Sequence, residues 1–282
     1  MKLKLHTAHV FIPDGKPDDK ALARTTHIAF GAHQDDLEIM AYDGIIKCFQ
    51  QEAKWFTGVV VTNGSGSPRD DVYKNYTDDE MRVVRLKEQK KAAVVGEYAA
   101  QILLDYPSGA IKDSKNKDAV EDVRAILLAA RPTVVYTHNL ADKHDTHVGV
   151  TLKVIEAIRG LDAKERPEAV YGCEVWRDLD WMCDTDKVAL DCSAHENLQA
   201  ALLGVFDSQI AGGKRYDLAT MGRRRAHATY HASHSTDATT GLSFAMDLTP
   251  LIDDPSCSAA AYVQDYIARF GKEVAERLAK LQ

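Results

Sequence analysis

The sequence predicts an α/β fold, a parallel sheet flanked by helices with a smaller C-terminal α+β extension. Three observations carry this. Strand-like and helix-like segments alternate from about residue 25 to 175, two of the strand segments are near-continuous apolar runs, and no internal repeat interrupts the alternation. Alternation of this kind implies parallel strands joined by crossover helices. Unbroken apolar runs are what strands buried on both faces require.

Residues 11–24 carry two prolines, a glycine and several charges, and read as a surface lead-in. The first strong strand spans about Thr25–Ala32 (TTHIAFGA), and a helix is expected from about Asp36 to Gln51, with Leu37, Met40, Ala41, Ile45 and Phe49 facing inward. Trp55–Thr62 (WFTGVVVT) is the second strand, ending in the loop sequence Asn63-Gly64-Ser65-Gly66-Ser67-Pro68. A long charged helix follows from about Asp78 to Tyr98, with Val83, Leu86, Ala93 and Val94 as its inner face. Gln101–Asp105 is the third strand, and Asp118–Ala130 a helix whose end is signalled by Arg131-Pro132. Thr133–His138 (TVVYTH) is the fourth strand, Val148–Arg159 a helix and Ala169–Val175 the fifth strand. Beyond Trp176 the expectation is a strand near Val188–Asp191, helices near Ala194–Phe206 and Tyr216–His227, a strand near Leu242–Leu248 and a closing helix from about Ala259.

The chain has 282 residues, 45% hydrophobic and 27% charged, and reads as one unit over 1–282 with a core sheet at about 25–175 and an extension at about 176–282. The formal net charge of −7 argues against nucleic acid or an anionic membrane as a general partner. The one dense basic run, Arg223-Arg224-Arg225, reads as a solvated helix face. Five cysteines, with no C-x-x-C pair, fit neither a disulfide framework nor a structural zinc finger. The N-terminal residues lack the apolar core of a signal peptide, and a cytoplasmic protein is expected. A homo-oligomer is left open.

In open α/β sheets, ligands bind beyond the carboxyl ends of the strands, where the strand order reverses. This sequence places Gly31-Ala32-His33-Gln34-Asp35-Asp36-Leu37-Glu38 after the first strand and His138-Asn139-Leu140-Ala141-Asp142-Lys143-His144-Asp145-Thr146-His147 after the fourth. In a Rossmann-like order of 3-2-1-4-5 the two clusters face one crevice. Imidazole and carboxylate suit a catalytic zinc with three protein ligands and one open position. His33 and Asp36 lie three apart where a strand turns into a helix, and His147 completes the set. Asp35 is placed to act as general base toward a water whose pKa the metal lowers to ~7. His144, protonated, is left to stabilise charge on the substrate carbonyl. A dinucleotide fingerprint is excluded, because only Gly31 follows the strand.

GAHQDDLEI followed by a distant ADKHDTHVG resembles the PIG-L/LmbE family of zinc-dependent N-deacetylases, whose motifs read A-H-P-D-D-x-E and H-P-D-H. Members act mostly on N-acetylated amino sugars and their conjugates, including precursors of bacterial low-molecular-weight thiols. The resemblance implies one Zn²⁺ per chain on His33, Asp36 and His147, Asp35 as general base, and His144 as support for the tetrahedral intermediate. It extends to Arg85-Leu86-Lys87-Glu88 with Ala92 and Gly96, to Leu104-Asp105-Tyr106-Pro107 with Gly109, and to Asp207-Ser208-Gln209. It also suggests Arg69, in the loop after the second strand, as a sugar-binding residue. Two departures stand out. Gln34 replaces the motif proline, and Thr146 stands where the second motif has Asp, so that Asp145 or Asp142 must orient the histidine instead.

The expected reaction is therefore removal of an acetyl or other acyl group from the amide nitrogen of a small N-acetylated amino sugar or glycoconjugate. The alternatives are a catalytically silent sugar-binding protein on the same fold, or a metal-dependent hydrolase of another amide or of a phosphate ester. His227, His231 and His234, four and three apart, could share a helix face as a second metal site. Glu38 is read as a contact of the cluster or a helix-end charge, and Trp176 and Trp181 as packing or as stacking platforms for a sugar ring.

Overall fold

The computed structural model describes residues 1–282. Eight strands, β1 (His9–Phe11), β2 (His27–Gly31), β3 (Phe56–Thr62), β4 (Ala100–Tyr106), β5 (Val134–His138), β6 (Ala169–Cys173), β7 (Lys187–Asp191) and β8 (Leu242–Asp247), form one sheet in the order β1-β4-β3-β2-β5-β6-β8-β7. The five central strands are parallel and stand in the expected order 3-2-1-4-5. Crossovers are made by α1 (Asp18–Ala23), α2 (Asp36–Met40), α3 (Tyr42–Cys48), α4 (Asp78–Val95), α5 (Ser108–Lys112), α6 (Asp118–Ala130) and α7 (Asp145–Arg159). Then come α8 (Glu196–Gly204), α9 (Asp207–Ile210), α10 (Tyr216–Tyr230), α11 (Thr249–Asp253) and α12 (Ala259–Leu281).

β2 and β3 are buried along their whole length, and their side chains alternate between two cores. Ile28, Phe30, Val59 and Val61 pack on one face, with Ile126 and Val154 from α6 and α7. Ala29, Phe56 and Val60 pack on the other, with Leu37 and Ile45 from α2 and α3. A residue period of two explains why an unbroken apolar run is needed: each face of the sheet takes every second side chain.

The structure differs from the sequence expectation at both edges. Residues His9–Phe11, just ahead of and overlapping the expected lead-in, pair antiparallel with β4. The C-terminal strands continue the same sheet, β8 pairing antiparallel with β6 and β7 with β8. Antiparallel strands at each edge satisfy backbone groups that an open parallel sheet leaves unpaired.

Two helices also differ. The helix expected over Asp36–Gln51 is broken at Ala41, whose backbone (φ −116°, ψ 24°) leaves the helical region. Arg224 of α10 donates to the carbonyls of Glu38 and Ile39 at 2.9 and 2.8 Å, replacing helical partners lost at the break. The basic run is thus not a solvated face. Arg224 is buried, Arg223 donates to the Val175 carbonyl at 2.6 Å, and only Arg225 is exposed. In α4, which opens with a Thr77/Glu80 capping box, Val83 and Val94 are exposed while Arg85, Glu88 and Gln89 are buried. Its inner face is polar because it lies against the candidate site. All five cysteines are free thiols, and no helix is long and apolar enough to cross a membrane.

Candidate metal and active site

β2 and β5 are adjacent, so the segments leaving their carboxyl ends meet. His33 lies just beyond β2, Asp36 opens α2, and His147 sits in the first turn of α7. His147 Nε2 is 3.3 Å from His33 Nδ1, His33 Nδ1 is 3.4 Å from Asp36 Oδ2, and His147 Nε2 is 3.5 Å from the same oxygen. Ligands at ~2.0–2.1 Å from a tetrahedral metal are separated by about 3.3–3.4 Å, so these three atoms fit the edges of one coordination face. His33 and Asp36 also line a cavity of about 290 Å³, which leaves a side open to solvent and substrate.

Electrostatics agree with a cation site. Burial opposes ionisation of Asp36, but the imidazoles of His147, His138 and His33 outweigh it and hold the carboxyl well below the usual range. Asp36 Oδ2 also accepts the His33 backbone N–H at 2.6 Å. Burial pulls His147 down, while Asp36 and Asp142 pull it up more strongly. Asp142 Oδ2 lies 3.5 Å from His147 Nδ1, the side of the ring away from the other two ligand atoms. Asp142 is fixed by the backbone N–H groups of His144 at 3.0 Å and Trp176 at 3.1 Å. It is Asp142, not exposed Asp145, that stands where a carboxylate can orient the histidine.

His138, the last residue of β5, was not assigned from the sequence. Its ring stacks on His147 with centroids 3.8 Å apart, and its Nε2 accepts the Ala32 N–H at 2.9 Å. Burial and His147 push its pKa well below the ordinary value, so the ring is neutral. A second group of metal-binding type, His138, Asp142 and His147, is buried throughout, whereas only the first reaches the cavity. Its place at a strand's carboxyl end was the one signal that could have found His138.

Asp35 lines the cavity in a left-handed conformation, φ 87° and ψ −28°. An aspartate there costs on the order of 1 kcal/mol and has to be held by its surroundings. The Asp35 N–H donates to Gln89 Oε1 at 3.3 Å, and Arg85 donates to the Gln34 carbonyl at 2.5 Å. Gly64 opposite takes a left-handed conformation (φ 67°) that strains any other residue, and a Cβ there would also displace the Gln34 side-chain amide. Burial raises the Asp35 carboxyl well above its ordinary value, Arg85 at 3.7 Å lowers it, and Asp36, Glu38 and Glu88 raise it again. Glu38 does not touch the metal-type cluster. It accepts from Tyr98 at 2.8 Å and from Gln89 at 2.9 Å, and burial pushes it up to about 7.

His144 caps α7, its Nδ1 accepting the Thr146 N–H at 3.3 Å, and its ring stacks on His147 with centroids 4.6 Å apart. The expectation of a protonated His144 is corrected here. Burial, His147 and His33 lower its pKa, and an accepting Nδ1 leaves the proton of a neutral ring on Nε2. The ring remains a donor.

Arg69 is not brought to this cavity. It donates to the Ser65 carbonyl at 2.6 Å and pairs with Asp78, tying the loop after β3 to α4. Arg85 lines the cavity instead, together with Gln209, Trp176 and Tyr216. Glu88 accepts from both the N–H and the hydroxyl of Ser208, at 2.8 and 2.7 Å, and so holds the Ser208-Gln209 segment at the rim. His227, His231 and His234 do not form a metal site. His227 is turned to buried Glu174 at 3.1 Å, and both His227 and His231 pack on Phe244.

Residues 28–158 match a family model described as PIG-L, GlcNAc-PI de-N-acetylase. No curated protein matches the chain. Among solved structures, the chain is similar to the 4-carboxy-2-hydroxymuconate hydratase GalB from Pseudomonas putida, at 14% identity and a TM-score of 0.62, covering 79% of this chain and 95% of that one. It is similar to the N,N'-diacetylchitobiose deacetylase from Pyrococcus horikoshii, at 16% identity and 0.58, covering 79% and 84%. The A40926 pseudoaglycone deacetylase Dbv21 aligns at 14% identity and 0.57, covering 79% and 97%. Identities this low speak to the fold.

Proposed function

We propose, from the premise that residues 28–158 form a PIG-L family domain, that this protein is a zinc-dependent hydrolase acting on the acyl amide of a small N-acetylated amino sugar or glycoconjugate. The observation that carries the reading is the triangle of His33, Asp36 and His147 ligand atoms, 3.3–3.5 Å apart, beside the cavity that also holds Asp35 and His144. The chitobiose and pseudoaglycone deacetylases among the structural neighbours support the same class. Fold alone does not select a reaction, as the hydratase neighbour illustrates. The deacetylase reading therefore rests on the motif residues.

A divalent cation on the three ligands supplies acidity to water and polarises a carbonyl. The chain's own groups do the rest. Asp35, whose carboxyl is raised by burial and pulled back by Arg85, takes the proton of the attacking water. His144 offers its Nε2–H to the oxygen on which negative charge develops. Asp142 orients His147, and Arg85 and Gln89 hold the strained Asp35 backbone in place. Residues 1–282 act as one unit in this reading, because α10 supplies Tyr216 to the cavity and Arg224 to the break between α2 and α3.

The test pairs metal content with acetate release across N-acetylated sugars. One zinc per chain is expected. Asp35→Asn should keep its metal while kcat falls by about 100-fold, the scale of general-base loss. Loss of the metal, or an unchanged kcat, would overturn the assignment of Asp35 and Asp36.

A further inference from the structure

A second cavity of about 250 Å³ adjoins the first, and the two share Ile39, Val175, Trp176 and Tyr216 as a common wall. Its remaining lining comes from Lys214 and Arg215, just before α10, and from the first half of α10, including Arg223, with no carboxylate among the lining residues. The chain as a whole carries a net charge of −7, so a pocket walled by three cations runs against its overall balance.

Those cations are not all spent on one another's neighbours. Arg215 is paired with Asp217 through Nε and Nη2, at 2.9 and 2.7 Å. Arg223 gives Nη1 to the Val175 carbonyl at 2.6 Å, which anchors the guanidinium at the cavity wall without neutralising it. Lys214 makes no ion pair, and its ammonium lies 4.5 Å from the centre of the Trp176 ring. Trp176 meets Tyr216 edge to face, centroids 5.9 Å apart at 89°, so the partition between the cavities is an aromatic corner. The Trp176 backbone N–H is held by Asp142, the carboxylate facing His147, which fixes this residue's backbone relative to the candidate metal ligands. Aromatic walls exclude water, and cations in a partly enclosed site attract anions more strongly than on an open surface.

We propose that the second cavity is a subsite for an anionic group, a carboxylate or a phosphate, carried by the part of the substrate beyond the acyl amide. The proposal rests on the reading of the first cavity as the acyl-amide site. Lys214 supplies the free charge, Arg223 a fixed guanidinium, and the Trp176–Tyr216 corner an apolar face for the group linking amide and anion.

N-acetylglucosamine, its 6-phosphate and N-acetylmuramic acid give neutral, phosphorylated and carboxylated probes. With the zinc-loaded protein, kcat/KM for at least one anionic probe should exceed the neutral one by about tenfold, a difference of about 1.4 kcal/mol. Which anion is preferred separates phosphate from carboxylate. In Lys214→Gln and Lys214→Glu, at an exposed position, the anionic-to-neutral ratio should fall about tenfold, chiefly through KM, and more in the charge reversal. Calorimetric titration of the same probes reads the subsite without turnover. If no probe releases acetate, the hydrolase reading fails, but tighter binding of an anionic probe that Lys214→Glu weakens still upholds the subsite. Equal binding and equal kcat/KM for charged and neutral probes, or a ratio unmoved by Lys214→Glu, would overturn it.

Discussion

Replacing Asp142 by Asn separates the two carboxylates that the sequence offered as the orienting partner of His147. Asp142 is buried, faces His147 Nδ1 at 3.5 Å and accepts two backbone N–H groups. An asparagine of the same shape can keep one oxygen toward the backbone, but its amide then presents a donor to the His147 N–H. Loss of such an outer partner typically costs 10–100-fold in metal affinity, or about 1.4–2.8 kcal/mol. One effect opposes this. Asp142 helps to raise the His147 pKa, so the variant also weakens the proton that competes with the metal. Measuring at about pH 8.5, roughly two units above the ordinary imidazole value, reduces that competition and isolates the orienting role. Zinc affinity is read by competition with a chromogenic chelator, with Asp145→Asn alongside. Asp142→Asn should bind at least about tenfold more weakly, and exposed Asp145→Asn should match the wild type. Equal affinities for wild type and Asp142→Asn, or a larger loss in Asp145→Asn, would refute the argument.

Three further outcomes follow from the same structure. His144→Ala should keep its zinc and lose much of kcat with little change in KM, the pattern of a contact made chiefly in the transition state. Because burial and neighbouring imidazoles lower the His144 pKa, and the neutral ring is the donor, this residue should contribute no alkaline decline; a decline abolished by His144→Ala would contradict it. Arg224→Met leaves the Glu38 and Ile39 carbonyls without their donor, at about 1–3 kcal/mol for each buried orphan, so urea unfolding should show a loss of roughly 2–6 kcal/mol; an unshifted midpoint would count against the Arg224 account of the helix break. Buried His27 has its pKa pushed down to about 4 by desolvation, so the unfolded chain binds the extra proton. Its stability contribution is complete above about pH 6.5 and is lost as pH falls toward 4, by roughly 2–3 kcal/mol. Chemical unfolding across that window should show the slope in wild type and a reduced one in His27→Gln.

The sequence by itself determined the central sheet and which His/Asp segments stand at its carboxyl edge. Hydrophobic period is local, so the runs at His27–Gly31, Phe56–Thr62 and Val134–His138 announced buried parallel strands, and the His/Asp segments following two of them announced a crevice. Residue type was enough to nominate His33, Asp36 and His147, since few other roles suit buried imidazole and carboxylate together. Only the tertiary structure decided which distant groups complete the site. The break at Ala41 depends on Arg224, more than 180 residues away, and the polar face of α4 on Ser208 and on the Asp35 backbone. Arg69 and Arg85 look alike in the sequence, yet Asp78 claims the first and the Gln34 carbonyl places the second in the cavity. Asp142 and Asp145 differ only by a helical start, which buries one and exposes the other. Periodicity reports which side of an element is apolar. It carries no record of which polar partner, from another part of the chain, will meet the side that is not.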